Sequence, residues 1–210
     1  MSKQAYVYSG TDWVPLASEV TNLSNYQLSN GVGLNKIIPT SVAVGSGSGS
    51  VDANGVVSFS GASSVTINGI FTSAYRNYFL TWESTSPASL YPNYRLSTSG
   101  TPNSTANYNF QRLQSTGTTT ASQRSSGETV FSLESDNTRA FVATLYIFAP
   151  QVAEKTFVIT HTMHINDSTF TQPVAQYTTG IFNDTTQFDG IQLLPNTSTV
   201  TGSIRAYGYN

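Results

Sequence analysis

Two histidines in a threonine-rich segment are the first residues whose type suggests chemistry, because imidazole is a common metal ligand and proton carrier. His161 and His164 stand three positions apart in the run HTMH. Side chains three positions apart in a β-strand face opposite sides of the sheet, so these two imidazoles cannot bind one ion within a chain. The chain also has no cysteine. We therefore expect one inward and one exposed histidine, no metal site and no cofactor.

Paired carboxylates are the second candidate, because a general acid and a general base often come from two such groups. Glu134 and Asp136 share one strand parity, and Asp184 and Asp189 are close in sequence. Both pairs lie in turn-like segments beside Asn or Thr, where Asp caps turns. The serines of residues 45–50 lie in a glycine repeat without a following helix or lysine, unlike a nucleophile elbow or a phosphate loop. We expect no catalytic residue, and a small carbohydrate-active lyase or hydrolase on a jelly roll stays open as an alternative.

The composition is polar but weakly charged. Nine basic and eleven acidic residues in 210 give a net charge of −2, and charged residues make up 10%, against roughly 25% in ordinary globular proteins. This balance lacks the basic patch of a nucleic-acid binder and the polybasic amphipathic helix of a membrane-surface protein. The first residues lack the apolar segment of a secretory signal peptide, which favours synthesis in the cytoplasm. Abundant Ser, Thr, Asn and Gln favour strands and turns over helices.

Residues 1–36 differ from the rest of the chain. Two short aromatic runs flank the tetrapeptide SGTD, which predicts a hairpin closed by a four-residue turn. The segment that follows, up to residue 36, is polar and without apolar periodicity, which is typical of an arm. Because an isolated two-stranded hairpin is marginally stable in water, we expect this one to dock on a partner surface. The side chains predicted to make the attachment are Tyr6, Tyr8, Trp13 and Leu16.

From residue 37 to residue 210 the pattern is that of strands and turns. About ten short strands, spaced roughly ten residues apart, predict an all-β fold: an antiparallel sandwich or jelly-roll-like module. Tyr78, Leu80 and Trp82 share one face of a strand. The almost continuously apolar residues 141–148 predict a central strand that is buried on both faces. The Gly/Ser run at residues 45–50 predicts a flexible connection.

Aromatic residues in predicted loops are the candidates for surface contacts. Tyr75 lies near Asn77, and Tyr91 precedes Pro92. A tyrosine combines a large apolar ring with a polar hydroxyl, so either residue could stack on a sugar or fill a subunit interface. The other interpretation, in which each ring packs onto its own domain, stays open at this stage.

Six stretches of the sequence resemble one class of proteins. Residues 4–16, QAYVYSGTDWVPL, are similar to the short leader of phage fibre proteins. Further similarity, to the globular module of such proteins, lies in residues 38–50, 55–71, 75–78, 188–195 and 202–209. Together these stretches resemble virion structural proteins of tailed bacteriophages, of the tail-fibre and minor structural type. The resemblance carries no catalytic motif and leaves residues 84–140 unmatched.

The resemblance implies a viral structural protein that is located in the virion, usually as a homotrimer. The N-terminal arm would attach to other virion proteins of the tail or capsid, and the β module would be displayed. A tail-fibre or receptor-binding knob, which mediates host attachment by contacting a host surface glycan, is the first placement because leader and module both resemble fibre proteins. A capsid decoration protein, of the cement or head-fibre kind, is the alternative because the chain is short and has no coiled coil or shaft repeat.

Overall fold

The computed structural model describes residues 6–8, 13–15, 33–116, 118–133, 138–165 and 173–210. The chain forms two compact units, residues 1–33 and residues 34–210. In the first unit, β1 (Tyr6–Tyr8) pairs antiparallel with β2 (Trp13–Pro15), and Tyr8 stands opposite Trp13. This pairing is that of the hairpin expected from the two aromatic runs. Leu16 and the rest of the expected arm up to residue 32 lie outside the described residues.

Every regular element in the described part of the second unit is a β-strand. The strands are β3 (Asn35–Lys36), β4 (Ser41–Val44), β5 (Ser48–Val51), β6 (Val57–Ala62), β7 (Val65–Asn68), β8 (Asn77–Leu90), β9 (Pro92–Thr98), β10 (Thr101–Pro102), β11 (Tyr108–Thr116), β12 (Thr119–Glu128), β13 (Phe131–Ser132), β14 (Thr138–Phe148), β15 (Thr156–Ile165), β16 (Pro173–Phe182), β17 (Gly190–Pro195) and β18 (Val200–Tyr209). Within the described ranges, no helix is long and apolar enough to cross a membrane.

The strands of the second unit form two sheets. The large sheet has the order β12-β11-β16-β15-β14-β8-β18-β6-β5, with β3 also paired to β18. The small sheet has the order β10-β9-β17-β7-β4, with β13 also paired to β9. Neighbouring strands are antiparallel, and the two sheets pack face to face around one core. The predicted all-β antiparallel sandwich is therefore confirmed.

The core lies between the inner faces of the two sheets. Tyr78, Leu80 and Trp82 of β8 are almost completely buried there, as their shared strand parity predicts. The Trp82 ring meets Phe141 of β14 edge to face at 4.7 Å, and its Nε1–H donates to Ser84 Oγ at 2.6 Å. Burial of each large apolar side chain contributes about 1.5–3 kcal/mol. The core therefore fixes which face of β8 and β14 points inward.

The Gly/Ser run is an ordered connection rather than the flexible one that its composition predicts. It links β4 of the small sheet to β5 of the large sheet, and β5 pairs with β6 along its length. Gly47 has a φ of 73°, a conformation that glycine adopts without steric cost. A Cβ atom at Gly47 would lie 2.0 Å from the carbonyl oxygen of Ser60. Glycine serves here to let two backbones approach, so the prediction of flexibility was wrong.

Candidate interaction face

Strand β15 has mainly polar side chains on its buried face and mainly apolar side chains on its exposed face. This reversal of the usual pattern locates the candidate interaction surface. The strand's inward side chains include four buried polar ones, and its outward side chains are mostly apolar. The outward Phe157 is 53% exposed and the outward Met163 is 55% exposed. A strand on the surface of a single-chain sandwich normally turns its apolar side inward. The inward polar residues are Thr156, Thr160, Thr162 and His164, and the outward apolar ones are Phe157, Ile159, Met163 and Ile165.

The neighbouring strands continue this inner polar layer. Gln176 of β16 is buried, and its Nε2 donates to the carbonyl oxygen of Leu133 at 2.5 Å. The guanidinium of Arg112 on β11 is also buried, and its Nη1 donates to Ser132 Oγ at 3.3 Å. Buried polar groups that are hydrogen-bonded in this way hold the strands to one register. These bonds fix the inward faces of β11 and β16, and β15 pairs with β16 along its whole length, so the apolar side of β15 lies on the outside.

The strand register maps the outer face of the large sheet. Six neighbouring strands, from β18 through β8, β14, β15 and β16 to β11, place their outward side chains side by side in rows. The central row is Arg205, Thr81, Thr144, His161, Tyr177 and Leu113. The row on one side of it is Tyr207, Phe79, Tyr146, Ile159, Thr179 and Gln111, and the row on the other side is Ser203, Glu83, Val142, Met163, Ala175 and Ser115. We call these three rows the outer face.

An aromatic ladder crosses the outer face. The ring centroids of Tyr207 and Phe79 are 6.1 Å apart, and those of Phe79 and Tyr146 are 5.0 Å apart. The ladder continues from Tyr146 to His161 at 6.2 Å and from His161 to Tyr177 at 5.0 Å. Rings at these separations attract one another and form a stiff surface. Five rings from five different strands thus form one continuous band.

The outer face is apolar and almost uncharged. Of the described residues, seven large apolar side chains are exposed, and four of them lie on this face: Leu113, Val142, Met163 and Tyr177. Phe157 lies one row beyond it, opposite Ile181. The charged side chains of the three rows are Glu83 and Arg205, whose Oε1 and Nη1 are 3.8 Å apart, so they neutralise each other. Contiguous apolar surface of this kind marks interaction sites on soluble proteins.

Two adjoining hollows make the outer face concave. The larger, of about 820 Å³, extends across all six strands, and the smaller, of about 600 Å³, lies beside it over β18, β8, β14, β15 and the first residue of β16. Glu83, Val142 and Met163 line both hollows. The exposed lining of both hollows is mostly apolar, and two rings of the ladder, His161 and Tyr177, line the larger one. This arrangement suits the binding of a large apolar surface.

Strand β14 is buried on one face only, whereas its sequence predicts burial on both faces. It lies centrally in the large sheet, and its inward residues Phe141, Ala143, Leu145 and Ile147 are buried. On its other side, Val142 is 44% exposed. The prediction of burial on both faces is therefore wrong for the single chain. Val142 lines both hollows instead of packing against a second layer.

The residues with catalytic or metal-binding potential have other roles where the structure describes them. His161 is exposed and His164 is buried on the opposite face, as strand alternation predicts. Among the described residues, no group of three or more His, Asp or Glu side chains could hold a metal ion. The Asp189 carboxylate accepts from the backbone N–H of Ser99 at 2.9 Å, and that of Asp184 caps its own turn. Glu134 and Asp136 lie outside the described residues.

The predicted surface aromatics lie away from the outer face. Tyr75 precedes the first residue of β8, and its half-buried ring covers Gly208, where an added Cβ would lie 2.2 Å from Tyr75 Cδ2. Tyr91 follows the last residue of β8, and its carbonyl oxygen accepts from the backbone N–H of Asn196 at 3.3 Å. The two rings therefore lie at opposite ends of one long strand and do not form one site. Their receptor-contact role stays a prediction.

The predicted attachment residues lie in the first unit. Tyr6, Tyr8 and Trp13 belong to the paired strands β1 and β2. Their role in attachment stays a prediction. Sequence reasoning missed the outer face, although the alternation of Phe157, Ile159 and Met163 with threonines was its visible signal.

Comparison with known proteins adds little to this description. No protein-family model and no curated protein matches the chain. Among solved structures, the chain is similar to the crystal structure of the botulinum neurotoxin serotype G binding domain, with 11% sequence identity and a TM-score of 0.21. The match covers 98% of this chain and 47% of that one, so the chain spans about half the length of that structure. A likeness this weak carries no argument about function.

Proposed function

We propose that this chain is a non-enzymatic structural protein of a bacteriophage virion, displayed on the particle surface as a homotrimer. The β-sandwich is the displayed module, and the N-terminal hairpin and arm attach it to other virion proteins. The observation that carries the structural role is the concave, apolar outer face, which suits assembly with a protein surface. The phage assignment is supported by the resemblance of residues 4–16 and of both ends of the module to virion proteins.

The placement that we favour is a tail-fibre or receptor-binding knob. In that role, surface loops rich in Ser, Thr and Asn would contact a host glycan while the outer face is occupied within the trimer. A capsid decoration protein is the second candidate, and the absence of coiled-coil or shaft repeats from the sequence favours it. Both placements use the same arm and the same module.

Deletion of residues 1–30 tests the attachment. The module has its own core, formed within residues 34–210, so we expect the truncated chain to stay folded. We expect it to be lost from particles purified on a density gradient, whereas the full chain co-purifies with them. Truncated protein that still co-purifies would show that the hairpin does not attach the module. Antibody label on intact particles then distinguishes tail from capsid.

The non-enzymatic assignment has its own test. Full-length protein is incubated with host surface polysaccharide, and released reducing sugar is measured. We expect no turnover above a heat-inactivated sample. Reproducible release that a single carboxylate substitution abolishes would instead establish a carbohydrate-active enzyme.

A further inference from the structure

We infer that a third hollow, at the edge of the large sheet, binds an oligosaccharide that carries a carboxylate. This hollow has a volume of about 360 Å³ and lies over β15, β16, β11 and β12. We call it the edge hollow. The inference rests on the proposed receptor-binding role and gives the host glycan a specific contact site. Three features of the edge hollow lead to this ligand: an exposed aromatic ring, a row of polar groups and an arginine without a carboxylate partner.

The edge hollow is separate from the two larger hollows. None of the described residues that line it lines either of the others. Its floor consists of two rows of outward side chains, with Thr179 and Gln111 in one row and Phe157, Ile181 and Asn109 in the next. Strand β12 bounds it on one side and is the last strand of the large sheet in the described part of the chain. The edge hollow is therefore open at the sheet edge while a second subunit covers the centre of the outer face.

The apolar side of the edge hollow is formed by two neighbouring strands. Phe157 of β15 stands directly opposite Ile181 of β16, and both side chains line the hollow. The Phe157 side chain is 53% exposed. An aromatic ring that is exposed to this degree offers an apolar surface on which the C–H face of a sugar ring stacks.

Polar groups form the rest of the edge hollow. Gln111 of β11 stands opposite Thr179 of β16 on one side and opposite Arg124 of β12 on the other. The Asn109 Oδ1 accepts from the backbone N–H of Gly127 at 2.8 Å, so its amide is held in place and its Nδ2 is left to donate. Planar amide and guanidinium groups match the adjacent hydroxyl groups of a sugar, because both present donors side by side at fixed spacing.

The charge of the edge hollow selects an acidic ligand. Arg124 is exposed, and its guanidinium makes neither an ion pair nor a hydrogen bond with any described residue, whereas Arg76 and Arg205 each pair with a carboxylate. Glu128 of the same strand is four residues away, about 13 Å along β12, and does not line the hollow. A guanidinium in this state binds a carboxylate through two parallel hydrogen bonds, because the two planar groups have matching geometry.

The dimensions of the edge hollow require more than one sugar ring. Phe157 and Arg124 lie on strands that are three positions apart in the sheet, which corresponds to about 14 Å. The volume of about 360 Å³ lies within the range of roughly 300–1,000 Å³ that small-molecule sites occupy. A ligand that stacks one ring on Phe157 therefore reaches Arg124 with the carboxylate of a later ring.

Titration calorimetry with the full chain tests the inference. The probe is trigalacturonic acid, and its trimethyl ester is the matched neutral ligand. We expect the acid to bind about tenfold more tightly than the ester at low ionic strength. Arg124→Gln should remove this preference, and Phe157→Ser should weaken the binding of both ligands. Arg76→Gln, which removes the same charge from the residue before β8, is the control and should leave both affinities unchanged.

The outcomes separate the edge hollow from the proposed virion role. Equal binding of the acid and the ester, or a preference that persists in Arg124→Gln, would overturn the inference. Equally tight binding of a short oligothymidylate would mean that Arg124 attracts any anion, and would overturn the saccharide assignment. A wild-type chain that binds neither sugar but co-purifies with particles would overturn the site and leave the structural role standing. A chain that binds the acid but is absent from particles would overturn the virion role and leave the site standing.

Discussion

Replacement of Val142 and Met163 by serine should weaken assembly far more than folding. The two residues are neighbours in one row of the outer face, on β14 and β15. Val142 is 44% exposed and Met163 is 55% exposed in the single chain. About half of each side chain therefore remains to be buried by a partner.

The size of the effect follows from that exposed half. Complete burial of such a side chain contributes about 1.5–3 kcal/mol, so the remaining half contributes about 1 kcal/mol for each residue. Both substitutions together remove about 2 kcal/mol from each interface and about 6 kcal/mol from the proposed homotrimer, which has three equivalent interfaces. At about 1.4 kcal/mol per tenfold change, the trimerisation constant falls about 10⁴-fold. The midpoint concentration is the chain concentration at which half of the chains are assembled. The trimerisation constant depends on the square of this concentration, so the midpoint concentration should rise about 100-fold.

A dilution series followed by light scattering or sedimentation measures the midpoint concentration. Val44→Ser is the matched control, because Val44 lies on β4 of the small sheet and packs against the core. We expect the control to lower the melting temperature and to leave the midpoint concentration unchanged. A shift of less than about threefold in the double variant, with its fold intact, would refute the reasoning from exposure to interface.

Two further predictions concern the inner face and the buried tyrosines. Thr162 is buried, and its hydroxyl makes no hydrogen bond to any described residue. Thr162→Val should therefore raise the free energy of unfolding by about 1 kcal/mol and the melting temperature by about 2–4 °C, while Thr144→Val on the outer face changes stability by less than about 0.5 kcal/mol. A lower melting temperature for Thr162→Val would mean that the hydroxyl is hydrogen-bonded in the folded protein. Burial raises the pKa of Tyr94 and the pKa of Tyr108 above the usual value of 10.0. The folded state thus favours their protonated forms, so their contribution to stability is complete below about pH 10 and is lost as the pH rises further. Urea midpoints that stay constant between about pH 9 and pH 11.5 would contradict this.

Much of the architecture could be predicted from local patterns. The spacing of the two histidines placed them on opposite faces, because a strand alternates with a period of two. The same period put Tyr78, Leu80 and Trp82 on one buried face. The Gly/Ser run was misread, because composition does not reveal that Gly47 approaches the backbone of Ser60.

The candidate site could not be found in the same way, because its residues are far apart in the chain. The ladder joins Phe79, Tyr146, His161, Tyr177 and Tyr207. Each of these residues alone is an ordinary strand residue. Only the pairing of five strands in one register puts the rings side by side, and that register depends on contacts between distant segments.

The sequence by itself determined that this chain folds into antiparallel strands and which side chains of each strand share a face. It did not determine which of the two faces is buried. For β15, hydrophobicity alone would turn Phe157, Ile159 and Met163 inward. The tertiary structure decides otherwise, because Ser132 and Leu133 lie against the opposite side of the sheet and accept hydrogen bonds from Arg112 of β11 and Gln176 of β16. The apolar side of β15 is thereby left on the outer face, where a partner can cover it.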